Sequence, residues 1–211
     1  LAPHAVERLA RDSRPMPVPW PEPARDALVS LLGAGRPAIP VWEALDQADL
    51  WSRLIPEWSV VRSAPQRNPV HRFTVDRHLV EAAVQSAAHA REVSRPDLLL
   101  VGALLHDIGK GRPGDHTENG VAVVAGIAPR LGFDGDDVDV LVALVQHHLL
   151  LPETATRRDL DDPATVAAVA AAVGSQDVLD LLHALTVADA AATGPAAWSD
   201  WKKSLIDELV A

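Results

Sequence analysis

A histidine and an aspartate stand side by side at the end of the most apolar run in this chain. His106 and Asp107 directly follow the run 98–105, which consists of Leu, Val, Gly and Ala. Burying two such polar groups is costly unless a partner offsets their lost hydration. A divalent metal ion is one such partner, because imidazole donates a nitrogen and a carboxylate neutralises charge. The dipeptide alone is equally compatible with a hydrogen-bonded pair that caps a helix.

Two further polar residues stand in apolar helical contexts and favour the metal interpretation. His78 opens an amphipathic pattern, and Asp189 is the one carboxylate in the apolar stretch 185–191. A carboxylate buried in such a stretch needs a partner. Three predicted helices therefore bring polar side chains into an apolar bundle, which is where helical proteins build metal sites.

More residues of the same chemistry lie close to the His-Asp pair or end another apolar helix. His116 comes just before a predicted helix, and His147 and His148 follow the apolar positions around residue 144. They are candidate ligands of a second metal; the alternative is partly exposed histidines at helix ends. Lys110 lies three residues beyond Asp107, where an ammonium group can stabilise charge on a phosphoryl oxygen. The alternative for Lys110 is an ordinary solvated lysine.

The composition predicts an all-α domain. Hydrophobic residues make up 48% of the 211 residues, and aromatic residues only 4%. Ala and Leu are strong helix formers, and alternating strand patterns are absent. The formal charge of −10 disfavours nucleic acid as a partner. Cysteine is absent and the apolar run 98–105 is too short to cross a membrane, so we expect no thiolate site, no membrane partner and a cytoplasmic location.

Proline and glycine divide the chain into predicted elements. The alternating prolines of 14–23 indicate an extended segment. We therefore interpret 1–22 as a Pro-rich linker or arm and 23–211 as one domain, with an N-terminal helical extension (23–69) and a core (70–211). A break is predicted at 65–69. The helices are predicted at 23–32, 38–50, 75–92, 96–105 (capped by Ser94), 117–131, 136–150, 163–173, 175–192 and 197–210.

The order of these polar residues resembles the HD phosphohydrolase superfamily. Its pattern His … His-Asp … Asp is matched by His78, His106, Asp107 and Asp189. The resemblance implies an HD-domain helical bundle in which these residues bind a divalent metal and the reaction is hydrolysis of a phosphate ester. It also implies a cytoplasmic, metal-dependent enzyme.

Members with two metals suggest ligands beyond the four of the motif. They place a histidine at the positions of His116 and of the pair His147-His148, with the aspartate of the His-Asp pair bridging. For that pair we expect His147 to ligate, with His148 as a ligand or a phosphate contact. The resemblance implies one or two ions, and Mn, Mg or Fe suit a histidine and carboxylate site with open positions. In relatives that carry His-Asp-Ile-Gly-Lys, the residue at the position of Lys110 is thought to stabilise the phosphoryl group.

Longer segments are similar to one group within that superfamily, the bifunctional uridylyltransferase/uridylyl-removing enzymes that modify the nitrogen-signalling protein PII. The segments are 71–78 (HRFTVDRH), 109–116 (GKGRPGDH), 147–151 (HHLLL), 157–163 (RRDLDDP), 185–189 (LTVAD) and 198–202 (WSDWK). This resemblance covers about 70–211 and implies removal of a nucleotidyl group from a tyrosine of PII. It makes His71, Arg72, Arg157 and Arg158 candidate contacts for the nucleotide or for PII.

In these enzymes a nucleotidyltransferase domain precedes the HD domain and ACT domains follow it. Neither is recognisable in this sequence, so we expect an isolated HD domain. The nucleotide implied by the resemblance is UMP. The composition, rich in Ala, Val, Arg and Asp, suggests an actinobacterial source. Because PII is often adenylylated in that group, AMP is the alternative. Hydrolysis of an alarmone, a cyclic dinucleotide or a dNTP would use the same ligands. A non-catalytic module that senses a nucleotide or docks PII is the remaining alternative, and the retention of Lys110 with all four ligands argues against it.

Overall fold

Helices account for all the regular secondary structure in the described part of the chain, as the composition predicts. The structure is a computed structural model that describes residues 2–66, 68 and 70–211. Leu1, Arg67 and Pro69, and with them part of the predicted break at 65–69, lie outside the described residues. In chain order the helices are α1 (Pro3–Asp12), α2 (Glu22–Gly33), α3 (Ala38–Gln47), α4 (Leu50–Leu54), α5 (Val75–Ser86), α6 (Pro96–Leu105), α7 (His116–Arg130), α8 (Gly135–His147), α9 (Leu150–Arg157), α10 (Pro163–Val173), α11 (Gln176–Thr193) and α12 (Asp200–Val210), with 3₁₀ turns at Pro56–Val60 and Ala87–His89.

Helix α6 is the centre of the bundle. All of its residues from Leu98 to Leu105 are buried. A helix that is apolar on every side is stable only when other elements surround it. Helices α2, α5, α8 and α11 do so. Because α6 ends at Leu105, the next two residues, His106 and Asp107, lie inside the bundle and are also buried.

Three tryptophans of the N-terminal extension belong to this core. The ring of Trp58 lies edge-on to Trp42 and Trp51, with centroid distances of 6.4 and 5.7 Å. All three side chains are buried. Edge-to-face aromatic pairs of this kind add about 0.5–1.5 kcal/mol beyond the area they bury. Helix α2 also packs on α5 and α6, and α3 packs on α5, so the helical extension is an integral layer of the fold.

Helix α1 was not predicted. It lies in the segment 1–22, which we interpret as a linker or arm because the alternating prolines of 14–23 indicate an extended chain. Val6 of α1 is buried, and the side chain of Arg53 donates a hydrogen bond to the carbonyl of Ala10. The chain that follows α1 lies against the main bundle, because Trp20 is buried and donates its backbone N–H to the carbonyl of Arg130 at 2.8 Å.

Three other predicted boundaries also differ from the structure. The helix predicted at 136–150 ends at His147, and the unpredicted α9 follows it, with Pro152 in its first turn, where a missing N–H costs nothing. The helix predicted at 75–92 ends at Ser86 and continues as a 3₁₀ turn. Ser94 does not cap α6; it donates a hydrogen bond to Asp177 instead, on the neighbouring α11.

No single helix in the described residues is both long and apolar enough to cross a bilayer. Helices α10 and α11 reach that length and composition only as a pair, and they are bent by 98° where they meet.

A glycine allows the turn after the His-Asp pair to touch α7. A Cβ atom on Gly109 would lie 2.0 Å from the carbonyl oxygen of His116 and 2.4 Å from the backbone nitrogen of Gly120. No side chain fits in that space. This backbone contact holds the first turn of α7, and therefore His116, beside Asp107.

We predict that Gly109→Ala destabilises the protein by roughly 3–5 kcal/mol, because the clash is with backbone rather than with a movable side chain. Gly126→Ala is the matched control, since Gly126 is exposed in the middle of α7 and a Cβ there meets nothing within 4 Å. The control should be neutral or stabilising by up to about 1 kcal/mol. Urea unfolding followed by circular dichroism measures both, and equal midpoints for the two variants would contradict the proposed contact.

Candidate metal centre

Three helices bring His78, His106 and Asp189 together in the core. His78 comes from α5, His106 from the end of α6 and Asp189 from α11. The Nε2 atoms of the two histidines are 3.3 Å apart, and Asp189 Oδ1 lies 3.0 Å from the first and 3.6 Å from the second. Both histidines are almost completely buried. The three ligand atoms therefore face one another across a space of atomic size.

A second group of three lies beside the first. Asp107 Oδ1 is 3.7 Å from His116 Nε2 and 3.7 Å from His148 Nε2. The other oxygen of the same carboxylate, Oδ2, is 3.4 Å from His106 Nε2 and 3.7 Å from His78 Nε2. Asp107 thus stands between the two groups and turns one oxygen towards each. A carboxylate in this position could offer one oxygen to each of two ions.

Backbone carbonyls fix the orientation of two of these histidines. The Nδ1 atom of His106 is 2.8 Å from the carbonyl oxygen of Ala103, and that of His148 is 2.7 Å from the carbonyl of Val145. A carbonyl oxygen can only accept, so Nδ1 carries the proton in each ring. In the neutral imidazole the lone pair then lies on Nε2, which faces the cluster. Histidine ligands of metals are commonly oriented in this way.

The donor atoms of both groups fit divalent ions. Asp107 Oδ1 is buried and accepts no hydrogen bond from any described residue. Leaving such an oxygen unpaired costs about 1–3 kcal/mol or more. Ligands bound to one ion at about 2.1 Å lie roughly 3.0–3.5 Å apart, close to the separations in these groups. A cation would therefore satisfy atoms that the protein alone leaves facing one another.

The charges of the protein alone also favour a cation at this place. Burial by itself would lower the pKa of His106, but the carboxylates of Asp107 and Asp189 outweigh it and raise that pKa to about 10. Burial would raise the pKa of both carboxyl groups, yet His106 holds each of them well below its usual range, helped by Lys110 at Asp107 and by His78 at Asp189. The two aspartates are anionic and attract a positive charge to this place, which a divalent ion can provide instead of a proton.

Lys110 contacts the same cluster from the side of a cavity. Its Nζ lies 2.5 Å from Asp107 Oδ2 and donates a hydrogen bond of 3.2 Å to the side-chain oxygen of Gln66. The cavity has a volume of about 800 Å³. Its walls include His71, Asp107, Lys110, His116, His148 and Asp189. Several of the proposed metal ligands and Lys110 therefore face the same open cavity.

The structure places His148, rather than His147, beside Asp107. His148 is buried and belongs to the group around Asp107, whereas His147 belongs to neither group. Both residues follow the same apolar helix, but neighbouring residues on a helix point about 100° apart. Only the rotation of the helix end decides which ring faces the cluster. Burial lowers the pKa of His147, which is partly buried away from the ligands.

Of the predicted substrate contacts, His71 alone lines the cavity. Its ring lies edge-on to that of His78, with a centroid distance of 5.3 Å. Arg72 instead covers the ring of Phe73 at 5.5 Å and is absent from the cavity wall. Arg157 and Arg158 lie at the exposed end of α9, outside that wall as well. The structure therefore does not bring these three arginines to the metal centre.

Several residues of the cavity wall were missed by the sequence interpretation. They are Gln66, Asn68, Arg112 and Leu149, together with the backbone of the turn 111–114. Arg112 lies only two positions beyond Lys110, in the segment GKGRPGDH, so its charge was a signal that could have marked it. Gln66 and Asn68 carry no such signal, because they come close to the site only through the fold.

Thr193, also missed, links the first group of ligands to the loop that carries His71. Its hydroxyl donates a 3.3 Å hydrogen bond to Asp189 Oδ1, one turn earlier on α11. Its carbonyl accepts the backbone N–H of Arg72. The side chain is buried. A residue in this position orients a ligand without touching the ion, and such partners typically affect metal affinity.

Comparison with known proteins places this geometry in a family context. Residues 75–193, which include every proposed ligand, match the family model described as HD domain. The chain is 63% identical over 210 residues to a bifunctional uridylyltransferase/uridylyl-removing enzyme of Streptomyces coelicolor, covering 100% of this chain and 25% of the relative. It is 53% identical over 206 residues to the enzyme of that name from Mycobacterium tuberculosis, covering 97% of this chain and 26% of the relative. The chain thus spans about a quarter of the length of these relatives.

We predict that His148→Ala weakens binding of one divalent ion by at least about 100-fold, because it removes a ligand atom beside Asp107. His147→Ala is the matched control and should leave binding unchanged. Titration of the metal-free chain with Mn²⁺ in a calorimeter measures both variants. Loss of an ion from the His147 variant with full binding in the His148 variant would reverse the assignment.

We also predict that Thr193→Val lowers the affinity of the ion at His78, His106 and Asp189 by about 10-fold, because Asp189 loses the hydroxyl that orients it. Thr193→Ser keeps the hydroxyl and should keep most of the affinity. Competition with a chelator of known strength gives both values. If the Ser and Val variants bind metal equally well, the hydroxyl does not orient Asp189.

Proposed function

The chain belongs to the HD domain family of metal-dependent phosphohydrolases, and from that premise we propose that it removes a nucleotidyl group from a tyrosine of the nitrogen-regulatory protein PII. The observation that carries the hydrolytic part is the position of Asp107, between two groups of ligands and in contact with Lys110, on the wall of one open cavity. The uridylyl-removing activity in the names of the relatives supports the choice of substrate.

The ligands divide into two sets that share Asp107. His78, His106 and Asp189 would hold one ion with it, and His116 and His148 would hold the other. Mn, Mg or Fe suit such a mixture of imidazole and carboxylate donors with open positions. Bound there, a divalent ion supplies a Lewis acid for the phosphate group and lowers the pKa of a water molecule towards neutrality.

Asp107 and Lys110 have different tasks in this proposal. His106, with help from Lys110, keeps the pKa of the buried Asp107 well below its usual range. The carboxylate therefore accepts a hydrogen bond from the attacking water and orients it, but it retains a proton poorly. Lys110 faces the cavity and can donate to an oxygen of the phosphate as negative charge develops there. The ion pair between the two keeps the ammonium group in place before substrate binds.

The proposed leaving group, the phenolate of tyrosine, needs little acid catalysis from the protein. Cleavage between phosphorus and the tyrosine oxygen releases a phenolate, whose conjugate acid has a pKa of about 10. Such a group leaves without a strong acid beside it. Among the described residues of the cavity wall, His71 is positioned to contact the nucleotide, since it lines the cavity next to His78.

The exposed arginines fit the protein part of the substrate better than the nucleotide. Arg157 and Arg158 stand at the end of α9, which directly follows the buried His148 and the cavity residue Leu149. Charged side chains at the rim of an interface steer association more than they add affinity. We propose that they contact the surface of PII around its modified tyrosine.

We predict that this chain, loaded with Mn²⁺, releases UMP or AMP from nucleotidylated PII and restores the free tyrosine. It should attach nothing to unmodified PII given UTP or ATP, because the described residues offer a hydrolytic site and no triphosphate cradle. Glutamine should change the rate little if its sensing belongs to ACT domains elsewhere in such enzymes. Mass spectrometry of PII before and after incubation measures each reaction.

Two preparations of PII, one uridylylated and one adenylylated, decide which nucleotide is preferred. Asp107→Ala is the inactive control. Hydrolysis of an alarmone, a cyclic dinucleotide or a dNTP with no loss of mass from either PII preparation would replace the proposed substrate. Inactivity on every phosphate ester tested, with metal bound, would leave a non-catalytic module.

A further inference from the structure

Arg112 occupies a fixed position on the wall of the metal-centre cavity. It lies in the turn between Lys110 and His116, and it is partly exposed to the cavity. The preceding Gly111 has φ of +81°, and a Cβ there would come within 3.0 Å of the carbonyl oxygen of Val60. Only glycine suits both conditions, so the turn that presents Arg112 is defined by close packing rather than free to move.

One hydrogen bond holds the guanidinium group and leaves most of its donors available. Nη1 of Arg112 donates to the carbonyl oxygen of Ile108 at 2.6 Å. Ile108 is the residue next to Asp107, so this bond ties the arginine to the backbone of the His-Asp turn. A guanidinium group carries five N–H donors in a rigid plane. In the described part of the chain, the bond to Ile108 is the only hydrogen bond that this side chain makes.

The positive charge of Arg112 is not paired, unlike that of Lys110. Lys110 forms an ion pair with Asp107, whereas no ion pair among the described residues includes Arg112. Burial raises the pKa of Glu57, but the hydrogen bonds and charge of Arg130, and to a smaller extent the charge of Arg112, lower it. Both oxygens of Glu57, however, already accept from Arg130 at 2.8 Å. The carboxylate of Glu57 is therefore already paired with Arg130 and does not form an ion pair with Arg112.

An unpaired arginine in such a cavity indicates an anionic ligand. The chain as a whole carries a formal charge of −10, so single cations on its surface have many carboxylates to pair with. A cation kept apart from them, on the wall of a cavity, creates a local positive potential. The planar fork of arginine matches two oxygens of a phosphate group and binds them with two parallel hydrogen bonds.

We propose that Arg112 binds the anionic oxygens of the phosphodiester, as a substrate-binding residue distinct from Lys110. This inference rests on the proposed function for its substrate class. Arg112 recognises the phosphate group by charge and by its two parallel donors, whereas Lys110 acts beside the bridging carboxylate. Neither task requires Arg112 to contact a metal ion.

The test uses the Mn²⁺-loaded chain and two probes, UMP and inorganic phosphate, titrated in a calorimeter. Arg112→Gln should weaken both probes by on the order of 10- to 100-fold, because it removes a charged donor. Arg112→Lys keeps the charge but not the fork, so its loss should be smaller. Arg91→Gln, at an exposed position before α6, is the matched control and should bind both probes normally. Metal content should be the same in all four proteins.

A chemical measurement on the unaltered protein supports the same test. Phenylglyoxal modifies accessible arginines, and UMP or phosphate should protect Arg112 from it, as read by peptide mass mapping. Unchanged affinity for both probes in Arg112→Gln, or loss of metal from that variant, would overturn the proposal, since the latter would make Arg112 part of the metal scaffold. Failure of the wild type to release a nucleotide from PII would instead reject the proposed substrate, while the binding titrations would still decide the role of Arg112.

Discussion

Asp107 is 3% exposed and lies where the helices of the bundle bring their polar side chains together. An isolated carboxylate would be far too costly at the centre of a helical bundle. Here it is surrounded by cations and potential ligands: its two oxygens lie between four imidazole Nε2 atoms, and Lys110 forms an ion pair with it. Burial would raise its pKa, but His106 and Lys110 hold that pKa well below its usual range, so the carboxyl group is anionic. This buried negative charge attracts divalent ions, and such an ion can replace the proton that the raised pKa leaves on His106.

The fold meets this constraint with rigid elements. The apolar helix α6 carries the His-Asp pair into the core, and α5 and α11 pack on it with one further ligand each, His78 and Asp189. Gly109 allows α7 to approach until backbone touches backbone, which brings His116 to the second oxygen of Asp107. Hydrogen bonds from rings to carbonyls and from Thr193 to Asp189 then set the directions of the ligands. Little of the site depends on a mobile side chain.

The sequence predicts this centre well where the signal is local. A polar residue in an apolar helical run is visible without a structure, and that is how His78, Asp107 and Asp189 were chosen. The all-α class follows from composition and the N-terminal helical extension from two short helical patterns, and both are confirmed. The expectation that His147 ligates has no signal to separate it from His148, because both follow the same apolar run and only the rotation of the helix end distinguishes them. The sequence also does not show which way a charged side chain faces, so it marks Arg72 as a substrate contact and does not mark Arg112.

The proposed metal ligands lie on helices or directly at their ends, whereas the residues that would contact the rest of a substrate lie on turns. Most ligands lie on packed helices or directly at their ends, so the position of the ions is set by the core. The groups that would touch the rest of a substrate, His71 and Arg112, lie on turns next to the cavity. Side chains on turns can be exchanged with less effect on the core than ligands on packed helices, although the backbone of the turn at Arg112 is itself closely packed. The proposed hydrolysis of a phosphate ester would therefore depend on the bundle, whereas the choice of substrate would depend on residues that can change without moving Asp107.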